Sequence, residues 1–426
     1  MTSTYVAQTV DSLLHYLETV PAAVRQLGGK REDWRVREVG DGNLNLVFIV
    51  HGADRSLVVK QALPYLRCVG ESWPLTLDRA WFEYEALVEQ ARHSPARVPA
   101  VYHFDRIMGL VVMEYLTPHI ILRKGLIRGV VYPLMARHIG EFMAETLFKT
   151  SDFYLPAARK KEHMALFCRN TQLCKITEDL VFTDPYRQAP LNRHTTPQLD
   201  GVARSFQNDG PLKVAAQELK YAFLTHAEAM IHGDLHTGSV MVTESETRVI
   251  DPEFAFYGPM GFDIGAFIAN LLLAWCAQPA HASRQGEREE YRRWILDQTE
   301  AVWSVFRERF SALWRNRTAD GDGSDAFPPE LLKSPAGLAE EALQAVLSHI
   351  WQDTIGFAGL KMVRRILGLA HVEDLESIPN PEIRAACELQ ALMLAHRMLT
   401  DRTCCPTVKA LREMVEDSEA KIPGRD

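Results

Sequence analysis

Strand-like runs crowd roughly the first 115 residues of this chain and then almost disappear, leaving one short hairpin pattern inside a helical remainder. That partition predicts an α+β protein of two lobes, a small strand-rich one over residues 1–116 and a larger, mainly helical one over 117–426. The junction falls near Glu114 to Pro118, and a cleft between the lobes is the default ligand site. At 426 residues and 48.2 kDa there is length for two or three compact units. A hydrophobic share of 47% with 24% charged residues excludes a disordered or fibrous chain.

The pattern along the chain is specific. Val10, Leu13, Leu14 and Leu17 recur at helical spacing, and a turn follows at Gly28 to Arg31. Strands are expected at Trp34 to Val39 and Leu44 to Val50, broken by Gly40-Asp41-Gly42-Asn43, with a third at Ser56 to Lys60. A helix over Leu77 to Arg92 and a buried strand over Gly109 to Tyr115 complete the first lobe. Beyond Thr117 the spacing predicts helices over Tyr132 to Phe148, Glu162 to Cys174 and Val214 to Glu228. Between the last of these and Phe254, Val240 to Val242 and Val249-Ile250 flank a polar turn, which reads as a hairpin. Arg317 to Pro329 reads as an exposed loop, and there is no internal repeat.

Charge and cysteine content narrow the function classes. A net charge of -8 and a pI near 6.0 remove the basic surface a nucleic-acid binder needs. Seven cysteines with no CxxC pair give neither a disulfide framework nor a zinc ribbon, which suits a reducing, cytoplasmic compartment. The N-terminal stretch lacks a signal-peptide pattern, and the longest apolar run, Gly265 to Ala277, is shorter than the about 20 residues of a membrane helix. A soluble, unprocessed protein with no membrane partner is expected.

The densest chemistry lies around the hairpin. His232-Gly233-Asp234-Leu235-His236-Thr237-Gly238-Ser239 precedes it, and Asp251-Pro252-Glu253 follows it. A hairpin folds the chain back, so Asp234 and Asp251 are expected at the same end of the sheet. Phosphoryl transfer uses such a pair, one carboxylate to orient the attacking hydroxyl and another to hold magnesium against the phosphates. Pro252 cannot donate to a ladder, so pairing stops there and Asp251 and Glu253 are free to turn to the cleft. The spacing HxDxH also allows a metal-hydrolase reading through His232 and His236. Against it, that reading leaves the first lobe unexplained, and His232 is expected to be a buried brace. In that lobe the glycine turn ending at Asn43 lets backbone amides approach phosphates, and Lys60 closes an apolar strand from which an ammonium can reach them. No GxxxxGK[ST] occurs, which excludes a P-loop.

The order GDGN, VVK, MEYL, HGDLHTGS and IDPEF resembles the protein-kinase-like small-molecule kinases related to aminoglycoside and choline kinases. GDGNLN at 40–45, GESWP at 70–74, DPEFAFYGPMGFDIGAF at 251–267 and RRILGLAHVED at 364–374 resemble, more narrowly, the methylthioribose kinase family. The resemblance covers nearly the whole chain. It implies a bilobal protein-kinase-like fold and transfer of phosphate from ATP, with Mg2+, to the anomeric 1-hydroxyl of 5-methylthioribose in methionine salvage, by a cytoplasmic homodimer. Residue by residue, it implies Asp234 as base or orienting group, Asp251 and Glu253 as metal holders, and Asn43 and Lys60 on the phosphates. It further implies Glu114, Tyr115 and Leu116 as an adenine hinge, Arg364 and Arg365 on the sugar hydroxyls, Trp73 as a flap and Asp263 as a buttress of the catalytic loop. Ser239 stands where the superfamily usually has a metal-binding Asn, with Glu253 expected to compensate, and the partner of Lys60 is left open between Glu83 and Glu85. Other hydroxylated acceptors, such as choline, homoserine or an aminoglycoside, and a catalytically silent nucleotide-binding regulator are the alternatives.

Overall fold

The computed structural model describes residues 4–40, 45–66, 70–284, 286–317 and 325–418, with the side chains of all of them except 66 and 70–72. The opening amphipathic stretch forms two helices, Val10–Glu18 and Pro21–Leu27. Thr9 caps the first by accepting from the Ser12 N–H, and Pro21 begins the second with its φ already helical.

Seven strands follow: β1 (Arg35–Val39), β2 (Asn45–His51), β3 (Ser56–Ala62), β4 (Tyr65–Leu66), β5 (Gly70–Pro74), β6 (Val101–Asp105) and β7 (Leu110–Glu114). Five of them make one antiparallel sheet in the order β1-β2-β3-β7-β6, and β4 pairs with β5. Side chains alternate across a strand, so the sheet has two apolar faces. Phe48, Val50, Leu57, Val59, Leu110 and Val112 pack against the opening helices through Leu13 and Leu17. Val58, Ala62, Val111 and Met113 face the Arg79–His93 helix through Ala80 and Leu87. Lys60 lies on this second face, opposite Val111 in the register, which sets its ammonium between the sheet and that helix. Strand β6 escaped the sequence reading because all five of its residues are half-buried and its register shifts between Val101 and His103, so it shows no alternation.

In the helical remainder the expected 162–174 helix is two helices, Ala157–Phe167 and Thr171–Phe182. The break has a polar cause: Asn170 leaves helical geometry and donates its amide to the Glu253 and Ala255 carbonyls at 2.9 and 3.0 Å. The helix expected to reach Glu228 runs Gly210–Thr225, with Asp209 capping it through the Leu212 N–H. The apolar run at 265–277 lies inside the helix Met260–His281. Its 22 residues are long and apolar enough to cross a bilayer, yet the whole apolar window is buried inside the protein. A helix apolar on all sides belongs to a core. It crosses Leu338–Leu367 so closely at Gly265 that a Cβ there would stand 2.5 Å from the Thr354 carbonyl oxygen.

Five short strands remain: β8 (Ile120–Ile121), β9 (Ala229–Ile231), β10 (Val240–Val242), β11 (Thr247–Val249) and β12 (Phe256–Gly258). The hairpin is β10–β11, with β8 on its other edge, and β9 pairs with β12. Val240 stands opposite Val249, so the residues just outside the ladder meet at one end, where the Ile250 N–H donates to the Ser239 carbonyl at 2.9 Å.

Candidate active site

Two acidic segments leave that end of the hairpin. Asp251, the first residue of the turn Asp251-Pro252-Glu253, has φ 64°, a left-handed conformation that a non-glycine residue adopts only when its surroundings hold it. Lys60 supplies the hold by donating to Asp251 Oδ1 at 2.7 Å and, on its other side, to Glu83 Oε1 at 2.8 Å. This settles the helix partner as Glu83, since Glu85 instead accepts from the Trp81 indole. Burial alone would lower the Lys60 ammonium, but Asp251 and Glu83 outweigh it and raise its pKa. Burial likewise pushes the Asp251 carboxyl up, and Lys60 reverses the shift, so Asp251 is ionised. Its side chain stays 46% exposed. Glu253 is buried and accepts from the Asn45 amide at 2.9 Å, with Arg79 3.9 Å away.

The other segment is built around a left-handed glycine. Gly233 has φ 81°, and a Cβ there would meet the Phe254 carbonyl oxygen at 2.2 Å. Both carboxylate oxygens of Asp263, within the first turns of Met260–His281, accept from this loop, at 2.6 Å from the His232 N–H and 3.0 Å from the Gly233 N–H. Asp263 therefore buttresses the loop rather than capping its own helix. His232 is 1% exposed and uses both ring nitrogens: Nδ1 accepts from the Asp234 N–H at 3.2 Å, and Nε2 pairs with the Ile250 carbonyl at 2.9 Å. His236 is equally engaged, accepting from the Gly238 N–H at Nδ1 and holding Nε2 3.3 Å from Asp234. Neither ring offers the open nitrogen that the metal-hydrolase reading requires.

Asp234 sits among cations. Lys361 Nζ is 3.4 Å from its carboxylate and an Arg365 nitrogen is 3.9 Å away. Burial would raise the carboxyl, but His236, Lys361 and Arg364 hold it well below the ordinary range. The same burial lowers the His236 imidazole to about 3, against the pull of Asp234, so the ring is neutral. Among the described residues, the buried Nε and Nη1 of Arg364 and Nε of Arg365 have no hydrogen-bond partner. Buried donors left unmade are costly, and a ligand with acceptor oxygens beside Asp234 would satisfy them. Lys361 was missed in the sequence, although it precedes Arg364 by one helical turn and shares its face. Asn45 and Arg79 were missed because their tie to Glu253 joins segments about 200 residues apart.

The remaining expected residues distribute as follows. Asn43 lies outside the described residues. Glu114 ends β7 and accepts from the Ala100 N–H, Tyr115 meets His51 edge-on at 5.9 Å, and Leu116 is buried. Pro252 opens a 3-10 turn behind Asp251. Trp73, in β5, packs with Leu75, Leu173 and Ile176. Ser239 donates to the Asp234 carbonyl at 3.0 Å, which commits its hydroxyl proton to bracing the loop. Thus Lys60, Glu83 and Glu253 gather about Asp251, and His236, Lys361 and Arg365 about Asp234, the two aspartates lying on the chain segments that flank a single hairpin end.

Comparison with known proteins places the chain in a family. The phosphotransferase enzyme family profile matches residues 35–325. Methylthioribose kinase 1 of Oryza sativa subsp. japonica is 48% identical over 392 residues, covering 92% of this chain and 90% of that protein. The methylthioribose kinase of Escherichia coli O45:K1 is 46% identical over 400 residues, covering 94% of each. That of Geobacillus thermodenitrificans is 44% identical, covering 90% and 91%. Among solved structures, a glucosamine kinase in complex with glucosamine, ADP and inorganic phosphate aligns with a TM-score of 0.49 at 15% identity, over 93% of this chain and 89% of that one. With two acidic segments at one hairpin end, a strand lysine between two carboxylates, and this identity along nearly the full length of its relatives, the chain belongs to the phosphotransferase enzyme family and, within it, to the methylthioribose kinases.

Proposed function

We propose that the protein transfers the γ-phosphoryl group of ATP to the 1-hydroxyl of 5-methylthioribose, giving 5-methylthioribose 1-phosphate and ADP, as a step of methionine salvage. The observation that carries this reading is the Lys60–Asp251 pair at 2.7 Å beside a loop that holds Asp234 among three cations. In the proposed division of labour, residues 1–116 bind the nucleotide and 117–426 supply the catalytic loop and the acceptor site. Lys60 and Asn43 contact the phosphates, and the backbone of Glu114, Tyr115 and Leu116 meets the adenine. Arg364 and Arg365 donate their unpaired N–H groups to the sugar hydroxyls.

Asp251 and Glu253 offer the hard carboxylate oxygens that suit Mg2+, and the exposed side of Asp251 fits that role. When bound there, the ion supplies charge neutralisation to the transferring phosphoryl group. Asp234 is ionised and weakly basic, so it orients the 1-hydroxyl by accepting its hydrogen bond and takes the proton late, as the O–P bond forms. Lys361 and Arg365 fix the carboxylate in position, and the neutral His236 blocks its other side. Catalysis arises from positioning and charge complementarity, with no covalent enzyme intermediate. The cations around Asp234 also disfavour choline or an aminoglycoside, whose positive charges would be repelled there. A homodimeric, cytoplasmic enzyme is part of the same proposal, from the family resemblance of the motifs; sedimentation equilibrium tests the assembly.

The test is ADP release with ATP, Mg2+ and 5-methylthioribose, followed by 31P NMR of the product. A phosphorus resonance coupled to the anomeric proton is expected. No ADP release with this sugar, or phosphate at another hydroxyl, contradicts the proposal.

A further inference from the structure

Away from the cleft, four side chains from three elements converge. His226 follows the Gly210–Thr225 helix, Glu228 immediately precedes β9, and His349 and Asp353 stand one turn apart on Leu338–Leu367. One ligand-competent atom from each lies within 4.8 Å of the others. His349 Nε2 is 3.1 Å from Glu228 Oε1 and 3.7 Å from Asp353 Oδ2. A tetrahedral ion with bonds of about 2.0–2.1 Å needs ligand atoms about 3.3–3.4 Å apart, and these two separations bracket that value.

A second observation points to a ligand. Asp353 is only 9% exposed, and its Oδ2, turned to His349, has no hydrogen-bond partner among the described residues. His226 Nδ1 is buried and unpartnered as well. Two carboxylates and two imidazoles make a four-donor set for one divalent cation. Glu228 is already oriented, since its other oxygen accepts from the Met260 N–H at 2.8 Å, and such outer bonds fix a ligand. Imidazole with carboxylate suits Zn2+ and its neighbours better than Mg2+.

We propose that His226, Glu228, His349 and Asp353 form a structural binding site for a divalent transition metal of the Zn2+ class. Four side-chain ligands close the coordination sphere, which is the pattern of a structural rather than a catalytic ion. The site clips the start of β9, which leads into the Asp234 loop, to the helix that carries Lys361, Arg364 and Arg365.

The experiment uses the full-length protein, stripped with a chelator and titrated with ZnCl2 by calorimetry and with Co2+ by visible absorption. His226→Gln and His349→Gln variants run in parallel; both changes lie outside the hydrophobic core, and circular dichroism checks that each variant is folded. Expected are one Zn2+ equivalent with Kd below about 1 μM, the intense visible bands of four-coordinate Co2+, and a Zn2+-dependent rise in Tm. Either variant should weaken Zn2+ binding at least about tenfold and abolish the Co2+ bands and the Tm rise. Weaker binding by the unmodified chain, or equal affinity in the folded variants, overturns the proposal.

Discussion

At the level of single residues, the site works by setting charge states against burial. Lys361 is the clearest case. Burial lowers its ammonium to about 8, with Arg364 and Arg365 adding to the fall and Asp234 opposing it. As pH rises through 8, Asp234 loses a cation that holds it in place, so kcat/KM should decline on the alkaline side with a midpoint near 8. Lys361→Arg should move that limb upward, and an unchanged limb in the variant would count against the assignment. Stability responds with the opposite sign. The folded pKa lies below the ordinary 10.5 of the free group, so the unfolded chain holds more protons between those values and this site's contribution to stability rises across that window. Loss of activity with retained Tm thus separates the two effects. Asp251 gives a different readout: Asp251→Asn should raise the Mg2+ concentration for half-maximal turnover by about tenfold or more, and an unaltered Mg2+ titration would remove it as a ligand.

At the level of elements, the Asp234 loop is held from behind by one helix. Asp263 accepts from two adjacent backbone N–H groups, and an amide cannot do the same, because its NH2 side would face a donor. Asp263→Asn should therefore cost about 1–3 kcal/mol in urea unfolding and lower kcat while leaving KM for ATP unchanged. An equal change in both constants would indicate general loosening instead. The elements that the sequence made legible are those whose periodicity is clean. β3 and β7 are short, nearly continuous apolar runs, so Lys60 could be placed at a strand before any coordinates. The hairpin was legible from two apolar runs around a polar turn. β6 was not, because an edge strand half-buried throughout shows no period. The break at 168–170 was not either, since its cause is the Asn170 amide reaching carbonyls about 85 residues away.

At the level of the whole molecule, the strand-rich lobe is tied to the acidic turn of the helical one by Lys60 to Asp251, Asn45 to Glu253 and Arg79 to Glu253. All three ties end on one three-residue turn, so the strand-rich lobe and the hairpin are aligned through it. Asp234 and Asp251 were legible as a pair because only the short β10–β11 hairpin separates them. Lys361, and the cluster joining His226 and Glu228 to His349 and Asp353, were not, because each depends on helices that meet across more than a hundred residues of chain. The proposed reaction requires Asp234 to orient an acceptor hydroxyl against a phosphate held by Lys60 and Asp251. The direct measurement is single-turnover phosphoryl transfer from ATP to 5-methylthioribose by Asp234→Asn, alongside ATP affinity by calorimetry. The predicted result is a rate lower by about 10²–10⁴-fold with ATP affinity unchanged; a rate within about tenfold of the unmodified enzyme would contradict it.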